Sequence, residues 1–191
     1  MLLSNRRYDE IKDCVINMFR KQNINKIPVD CFEIIDKLNI ILRPYSQLNE
    51  LGRAKAYEVS KDGFCMLAED LIDNVVVVQW YIFYNDSQPL ERIRFTLMHE
   101  IGHIVLNHKE GSDIAEAEAN FFAKYALAPP PLVDMVKPED YIELGRVFHI
   151  SNQCALYAFR YYEKWLHNGN IYYEARELSL IKHFNLSCEK Q

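Results

Sequence analysis

The stretch RIRFTLMHEIGHIVLNH, residues 92–108, decides the fold because it joins a helical pattern to residues that bind metal. The pattern predicts a helix over residues 90–107. His99 and His103 are four residues apart, so their side chains lie one above the other on one face of that helix. Both imidazoles can reach a single ion, and the spacing therefore predicts two ligands of a zinc site.

Glu100 stands between the two histidines and projects to one side of them. From there its carboxylate can take a proton from a zinc-bound water instead of coordinating the metal. The order H-E-x-x-H is therefore typical of zinc peptidases, with Glu100 as the catalytic base. The alternative is a helix that packs its histidines in the core with satisfied ring nitrogens. That alternative is disfavoured because the rest of a zinc site can be found downstream.

A catalytic zinc takes three protein ligands and keeps one position open for water. The next predicted helix, residues 113–127, offers Glu116 and Glu118 in the run AEAEANFFA. Glu116 is preferred because Asn120, four residues later on the same face, can hydrogen-bond a ring nitrogen of a zinc-bound histidine. Glu118 has phenylalanines at the equivalent steps and is interpreted as a solvated helix glutamate.

Two further residues of the metal helix invite interpretation. His108 follows His103 by five residues and is expected at the helix end, where the helix dipole favours it. Gly102 lies in the middle of the helix, where glycine costs about 1 kcal/mol relative to alanine. This glycine indicates a close approach of another backbone or of the metal site, or a packing requirement without a function.

The residues before the metal helix predict two helices followed by strands. Helices are expected over residues 5–21 and from Pro28 to about residue 38. Four strands are indicated by short apolar runs bounded by turn residues, at Ile40–Leu42, Ala54–Val59, Phe64–Ala68 and Val75–Tyr84. The last run, VVVVQWYIFY, gives the strongest strand signal because it is rich in β-branched and aromatic residues. We therefore expect an α+β fold, with a small antiparallel sheet packed on helices.

The chain after Leu127 is predicted to be helical over roughly residues 139–185, with breaks near Ile150-Ser151 and near Asn168-Gly169-Asn170. Pro129 to Pro131 end the second metal-site helix and offer the best candidate for a hinge. The expected organisation is a zinc metallopeptidase domain over residues 1–130 and a C-terminal helical segment over residues 131–191 packed on it.

Composition restricts the class of partner. A net charge of −5, without a block of like charge, argues against a nucleic-acid binder. Phe148 to Ser151 could begin a helix-turn-helix with Ser151 as N-cap, but the region after residue 139 has no basic excess. No apolar run suits a signal peptide or a membrane span. Five scattered cysteines without a CxxC pair favour reduced thiols, and hence a cytoplasmic protein.

These motifs resemble those of the ImmA/IrrE-type zinc metallopeptidases. The resemblance rests on RIRFTLMHEIGHIVLNH at 92–108 and EAEANFFAKYALAP at 116–129, with weaker matches at 26–42 and 148–165. Two departures stand out. Asn120 occupies the place of the aspartate in the E-x-x-x-D pair of thermolysin-like peptidases, which keeps a hydrogen-bonding group and removes a charge. Residues 126–129 read ALAP where the family usually has LLMP.

The resemblance implies His99, His103 and Glu116 as zinc ligands and Glu100 as the general base. It also implies a cytoplasmic protein of a kind often carried by mobile genetic elements. The known substrates of such peptidases are helix-turn-helix repressors, cut at a limited site to regulate transcription. We therefore expect a protein substrate, with neither nucleic acid nor membrane as partner.

Two interpretations of function remain from the sequence. The first is a zinc-dependent endopeptidase of narrow specificity, in which the strand at residues 75–84, if it lies at the sheet edge, binds an extended substrate. The second is a regulator in which zinc holds the fold and the protein acts by binding a partner without proteolysis. Glu100 favours the enzyme, because a structural zinc site has no use for it and prefers four ligands, often cysteines.

Overall fold

The computed structural model describes residues 3–72, 75–167 and 173–185. The predicted turn at Asp73-Asn74 and the predicted break at Asn168–Asn170 lie outside these residues. Along the described ranges the chain forms, in order, α1 (Asn5–Lys21), α2 (Cys31–Lys37), β1 (Ile41–Pro44), a 3-10 turn (Tyr45–Gln47), α3 (Glu50–Val59), β2 (Gly63–Ile72), β3 (Val75–Tyr84), α4 (Leu90–Val105), α5 (Asp113–Leu127), α6 (Pro130–Val136), α7 (Tyr141–Phe148), α8 (Asn152–His167) and α9 (Ala175–His183). The α+β class predicted from the sequence is confirmed.

The sheet has the order β1-β3-β2 and is mixed. β2 pairs antiparallel with β3, with Cys65 opposite Ile82, whereas β1 pairs parallel with β3, with Ile41 opposite Tyr81. The expectation of a purely antiparallel sheet was wrong because β1 also joins it. β3 lies at the centre of the sheet and pairs on both sides, and continuous apolar runs are typical of central strands. The edge strand next to α4 is therefore β2. Substrate binding along β3 required that β3 lie at the sheet edge, and it does not.

The run Ala54–Val59 was predicted as a strand and is part of helix α3. Asn49 begins the helix, because its side-chain Oδ1 accepts a hydrogen bond of 2.8 Å from the backbone N–H of Gly52. The residues that follow are mostly alanine, glutamate, lysine, leucine and arginine, which are strong helix formers. Capping and helix propensity therefore outweigh the short alternation of apolar and polar residues that suggested a strand.

Helices α4 and α5 pack against each other, and Gly102 sets how closely. A Cβ atom at Gly102 would lie 3.1–3.2 Å from three carbon atoms of the Phe122 side chain, which is fully buried. Ordinary carbon–carbon contacts need more room, so only glycine allows the two helices to approach this closely. Of the explanations left open for Gly102, the structure supports packing, here between the two helices that carry the candidate metal ligands.

The helices after Pro129 share one hydrophobic core with the helices before it. Buried side chains of α1 and α5 meet those of α7 and α9 in this core, including Phe19, Phe122, Phe148 and Ile181. The division of the chain at residue 130 remains a prediction. Within the described residues, no helix combines the length and the apolar character that a membrane crossing requires.

The break predicted near Ile150-Ser151 is confirmed, because α7 ends at Phe148 and α8 begins at Asn152. Ser151 acts at the start of α8 as expected, since its Oγ accepts a hydrogen bond of 3.3 Å from the backbone N–H of Cys154. The two helices thus form a helical hairpin with a three-residue connection.

Arg94 is a buried arginine that joins α4 to the end of α7. Its Nε donates to the carbonyl of His149 at 2.9 Å, and its Nη2 donates to the carbonyls of Val29 at 2.8 Å and Phe148 at 3.4 Å. The carbonyls of Phe148 and His149 end a helix and lack partners within it. The guanidinium therefore satisfies these acceptors and also complements the negative end of the α7 dipole.

Replacement of Arg94 by methionine is expected to lower the free energy of unfolding by about 3 kcal/mol, because it leaves buried carbonyls without donors. Arg92→Met is the matched control on the same helix. Arg92 pairs with Asp62 at an exposed site, where the arginine side chain is 56% exposed, and its loss should cost about 1 kcal/mol or less. Urea unfolding followed by circular dichroism measures both. Equal losses for the two variants would contradict the assigned role of Arg94.

Candidate metal centre

Three side chains from α4 and α5 converge at one point. His99 Nε2 and His103 Nε2 are 3.0 Å apart, and the Glu116 carboxylate oxygens lie 3.3 Å from each of them. The three potential ligand atoms lie within 4.8 Å of one another. The histidines are largely buried and the glutamate side chain is 55% exposed, so the cluster opens toward solvent on one side.

These distances fit a tetrahedral zinc ion. Zinc bonds of about 2.0–2.1 Å at tetrahedral angles place neighbouring ligand atoms about 3.3 Å apart. Two imidazoles and one carboxylate also form the donor set of catalytic zinc sites, which leave a fourth position for water or substrate. The geometry and the chemistry of His99, His103 and Glu116 are therefore suited to zinc.

Both histidines favour the neutral form that a metal requires. Burial lowers the pKa of His99, against the opposing effect of the Glu116 carboxylate. Burial, with a smaller effect of His99, lowers the pKa of His103 to about 4. Because the imidazoles are neutral near pH 7, their 3.3 Å approaches to Glu116 are not ion pairs. Three electron-rich groups instead meet at a point where a cation would stabilise them.

The structure brings Glu116, and not Glu118, to the two histidines. The two residues are about 200° apart around the helix, so their side chains leave it in nearly opposite directions. The interpretation of Glu118 as a solvated glutamate was wrong, because its side chain is only 8% exposed. The Asn120 side chain donates from Nδ2 to the Glu116 carbonyl at 2.8 Å. The buried Nδ1 of His99 has no hydrogen-bond partner within the described residues, so the support predicted from Asn120 is not present at that atom.

Glu100 lies next to the cluster without belonging to it. Its carboxyl group is buried between α4 and the edge strand β2, where it contacts Cys65. Burial raises the pKa of Glu100 to about 7, although hydrogen bonds from the thiol and the backbone N–H of Cys65 act in the opposite direction. A carboxyl group with this pKa can both accept and release a proton near neutral pH.

A cleft of about 900 Å³ opens over these residues. One wall is the first half of β2, from Gly63 to Leu67, and the floor is the face of α4 that carries His99, Glu100 and His103. Residues 107–111, between α4 and α5, also line the cleft. The volume is sufficient for several residues of an extended chain, because small-molecule pockets measure about 300–1,000 Å³.

The sequence interpretation missed a hydrogen-bonded chain behind His103. His108 was expected at the end of α4, where the helix dipole favours it. Its Nδ1 lies 3.0 Å from His103 Nδ1 and its Nε2 lies 2.9 Å from Glu118 Oε2. Arg7 of α1 donates to both carboxylate oxygens of Glu118, at 2.7 and 2.6 Å. Because Glu118 lies on the opposite helix face from Glu116, the sequence could have indicated that the two glutamates have different partners. Arg7 lies 111 residues away from Glu118 in sequence, so no local pattern connects the two residues.

Purified protein is expected to hold about one divalent metal ion per chain, and His99→Ala or His103→Ala should remove most of it, because two ligands remain. Glu110→Ala provides the control, since Glu110 lines the same cleft outside the cluster. Elemental analysis after dialysis gives the metal content. Full retention of metal by both histidine variants would show that the ion binds elsewhere.

The sequence pattern of the IrrE N-terminal-like domain, peptidase family M78, matches residues 53–160. This range covers more than half of the 191 residues and includes His99, Glu100, His103 and Glu116. No curated protein matches the chain significantly. The match and the clustered residues of its central motif lead to one conclusion: the chain belongs to the IrrE N-terminal-like, or ImmA/IrrE-type, family of metallopeptidases.

Proposed function

We propose that the protein is a zinc-dependent endopeptidase of narrow specificity that acts in the cytoplasm and cleaves a helix-turn-helix transcriptional repressor. The observation that carries the proposal is the place of Glu100. Its carboxyl group is buried in the cleft beside the cluster of His99, His103 and Glu116, yet it takes no part in that cluster. A site that only held a structural ion would have no use for it.

His99, His103 and Glu116 would hold the zinc ion in this proposal. When bound, zinc supplies Lewis acidity, which polarises a carbonyl group and makes water more acidic. Imidazole and carboxylate ligands at tetrahedral spacing suit zinc better than magnesium or calcium, which prefer six or more oxygen ligands. The burial of both imidazoles supports metal binding near neutral pH, because it keeps them unprotonated.

Glu100 is proposed to move protons during hydrolysis. It accepts a proton from a water molecule in the cleft as the water oxygen attacks the scissile carbonyl carbon. It then donates that proton to the amide nitrogen as the carbon–nitrogen bond breaks, which leaves a carboxylic acid and an amine. The pKa of about 7 suits a group that has to accept and donate in the same cycle.

The edge strand β2 is proposed to align the substrate. Its residues from Gly63 to Leu67 line the cleft, and Cys65 contacts Glu100, so this edge runs directly beside the reacting groups. Within the part of the chain that the structure describes, β2 pairs with β3 on one side and with no strand on the other. An extended substrate segment can therefore add to the free side by β-augmentation, which positions its backbone irrespective of most side chains. Exposed Met66 and Leu67 offer apolar contacts to such a segment.

Glu100→Gln is expected to retain zinc and the fold, and to lower the rate of substrate cleavage by about 10²- to 10⁴-fold, because the amide cannot accept the proton. Metal content, circular dichroism and the cleavage rate are measured on the same preparation. Glu91→Gln, at an exposed position in the first turn of α4 outside the cleft, serves as the control and should cleave at the wild-type rate. Unchanged cleavage by Glu100→Gln would rule out the proposed chemistry.

Specificity for one regulatory protein is expected for two reasons. The family resemblance implies repressor substrates, and an unrestricted protease would damage the proteins of its own compartment. The test mixes zinc-loaded protein with casein and, separately, with the repressor encoded beside its gene, and maps the products by mass spectrometry. We expect a single cut in the repressor and intact casein.

Two other outcomes of this experiment contradict the proposal. Degradation of casein at many sites, with the repressor left whole, would refute narrow specificity. Cleavage of neither protein, together with tight binding of the repressor, would favour a regulator that acts without proteolysis.

A further inference from the structure

Four side chains form a continuous hydrogen-bonded chain that ends at a candidate zinc ligand. The chain runs from Arg7 on α1 to Glu118 on α5, then to His108 in the loop after α4, and finally to His103. We call this set the His103 support chain. All of its links measure 2.6–3.0 Å, which is the range of good hydrogen bonds.

The direction of each hydrogen bond in the support chain follows from its first member. Arg7 has only donors, and it donates through Nε and Nη2 to the two oxygens of Glu118. A carboxylate held in this bidentate way is ionised and can only accept. The ring nitrogen of His108 that faces Glu118, Nε2, must therefore carry a proton and donate it.

The same logic fixes the next link. A neutral imidazole with its proton on Nε2 has a bare Nδ1, which can only accept a hydrogen bond. His108 Nδ1 faces His103 Nδ1 at 3.0 Å, so with His108 in its neutral form the proton between them belongs to His103 Nδ1. His103 Nε2 is then left with its lone pair, and this is the atom that faces His99 and Glu116.

We propose that Arg7, Glu118 and His108 are positioning residues that hold His103 in the Nδ1–H tautomer, so that the lone pair of its Nε2 points at the metal position. This inference rests on the proposed metal site and goes beyond it, because it assigns a role to three residues outside the ligand set. Arg7 also lies outside residues 53–160, the range that matches the family.

Burial makes the support chain effective. The side chains of His103 and His108 are each 12% exposed and that of Glu118 is 8% exposed. Water therefore has little access to offer either imidazole an alternative partner. His99 provides a contrast, because its buried Nδ1 makes no hydrogen bond within the described parts of the chain. Of the two histidines, His103 is the one whose proton position is determined by neighbouring side chains.

Variants that change which atoms donate and which accept hydrogen bonds can distinguish the positioning of His103 from a purely structural role of the support chain. His108→Leu breaks the support chain and is expected to weaken zinc binding about 10- to 100-fold, as is usual when the partner of a ligating histidine is lost. His108→Gln should restore most of that affinity, because a glutamine oxygen can accept from His103 Nδ1 while its amide nitrogen donates to Glu118. Both variants leave the Arg7–Glu118 pair in place. Zinc affinity is measured by competition with a chelator.

Nitrogen-15 NMR of the imidazoles in zinc-free protein supplies a readout that is independent of metal. Wild type and His108→Gln should show His103 protonated at Nδ1. Glu118→Ala removes the oxygen that accepts from both Arg7 Nη2 and His108 Nε2, so we expect His103 to lose its preference for the Nδ1–H form and zinc affinity to fall. Glu10→Gln is the control, because it removes the other carboxylate partner of Arg7 and leaves the support chain intact.

The outcomes distinguish this inference from the proposed function. If His108→Leu binds zinc as tightly as wild type and His103 keeps its tautomer, the support chain has no positioning role. Equal affinities for His108→Leu and His108→Gln, both reduced, would also overturn it, since polarity would then be irrelevant. If the wild type shows the Nδ1–H tautomer but binds no zinc, the tautomer assignment holds and the proposed metal site fails.

Discussion

The close approach of α4 and α5 is the constraint on which the candidate site depends. Gly102 lets the side chain of Phe122 lie within 3.1–3.2 Å of the place where a Cβ atom would stand. His103 is the next residue on α4, and Glu116 lies less than two turns before Phe122 on α5. A shift of a few tenths of an ångström between the helices would move Glu116 relative to both histidines by an amount comparable to the tolerance of zinc bonds, about 0.2 Å. The packing of Phe122 on Gly102 therefore helps to fix the positions of the candidate ligands.

Three of the four glutamates between residues 100 and 118 have different properties because their surroundings differ. Glu116 points to the histidines and remains half exposed, so its charge is available to a metal. Glu118 points inward, and Arg7 lowers its pKa, so it stays ionised within the protein. Glu100 is buried against Cys65, and burial raises its pKa to about 7. Burial and the nearest counter-charge thus distinguish the candidate ligand Glu116, the hydrogen-bond acceptor Glu118 and the proposed proton carrier Glu100.

Local pattern was enough to predict the α+β class, the break between α7 and α8, and the residues that cluster on α4 and α5. Such features depend on spacing along one helix, which the sequence records directly. The centre of the sheet was not predictable in this way, because it depends on which strands meet: Ile41 pairs with Tyr81, 40 residues later. Helix α3 was missed because its cap at Asn49 lies outside the run that looked like a strand. Arg7 was missed because it meets Glu118 only after folding.

Helix α1 shows that the range of a chain that matches its family can be smaller than the range needed for folding. The family match begins at residue 53, yet Ile11 and Phe19 of α1 fill the common core, and Arg7 supplies the counter-charge of Glu118. A fragment trimmed to residues 53–160 would keep every residue of the recognisable motif. It would also expose the apolar faces that α1 covers and leave a buried carboxylate without its guanidinium. In a cell such a fragment would be removed by proteases, so natural deletions within α1 would act as loss-of-function mutations although the motif itself is untouched.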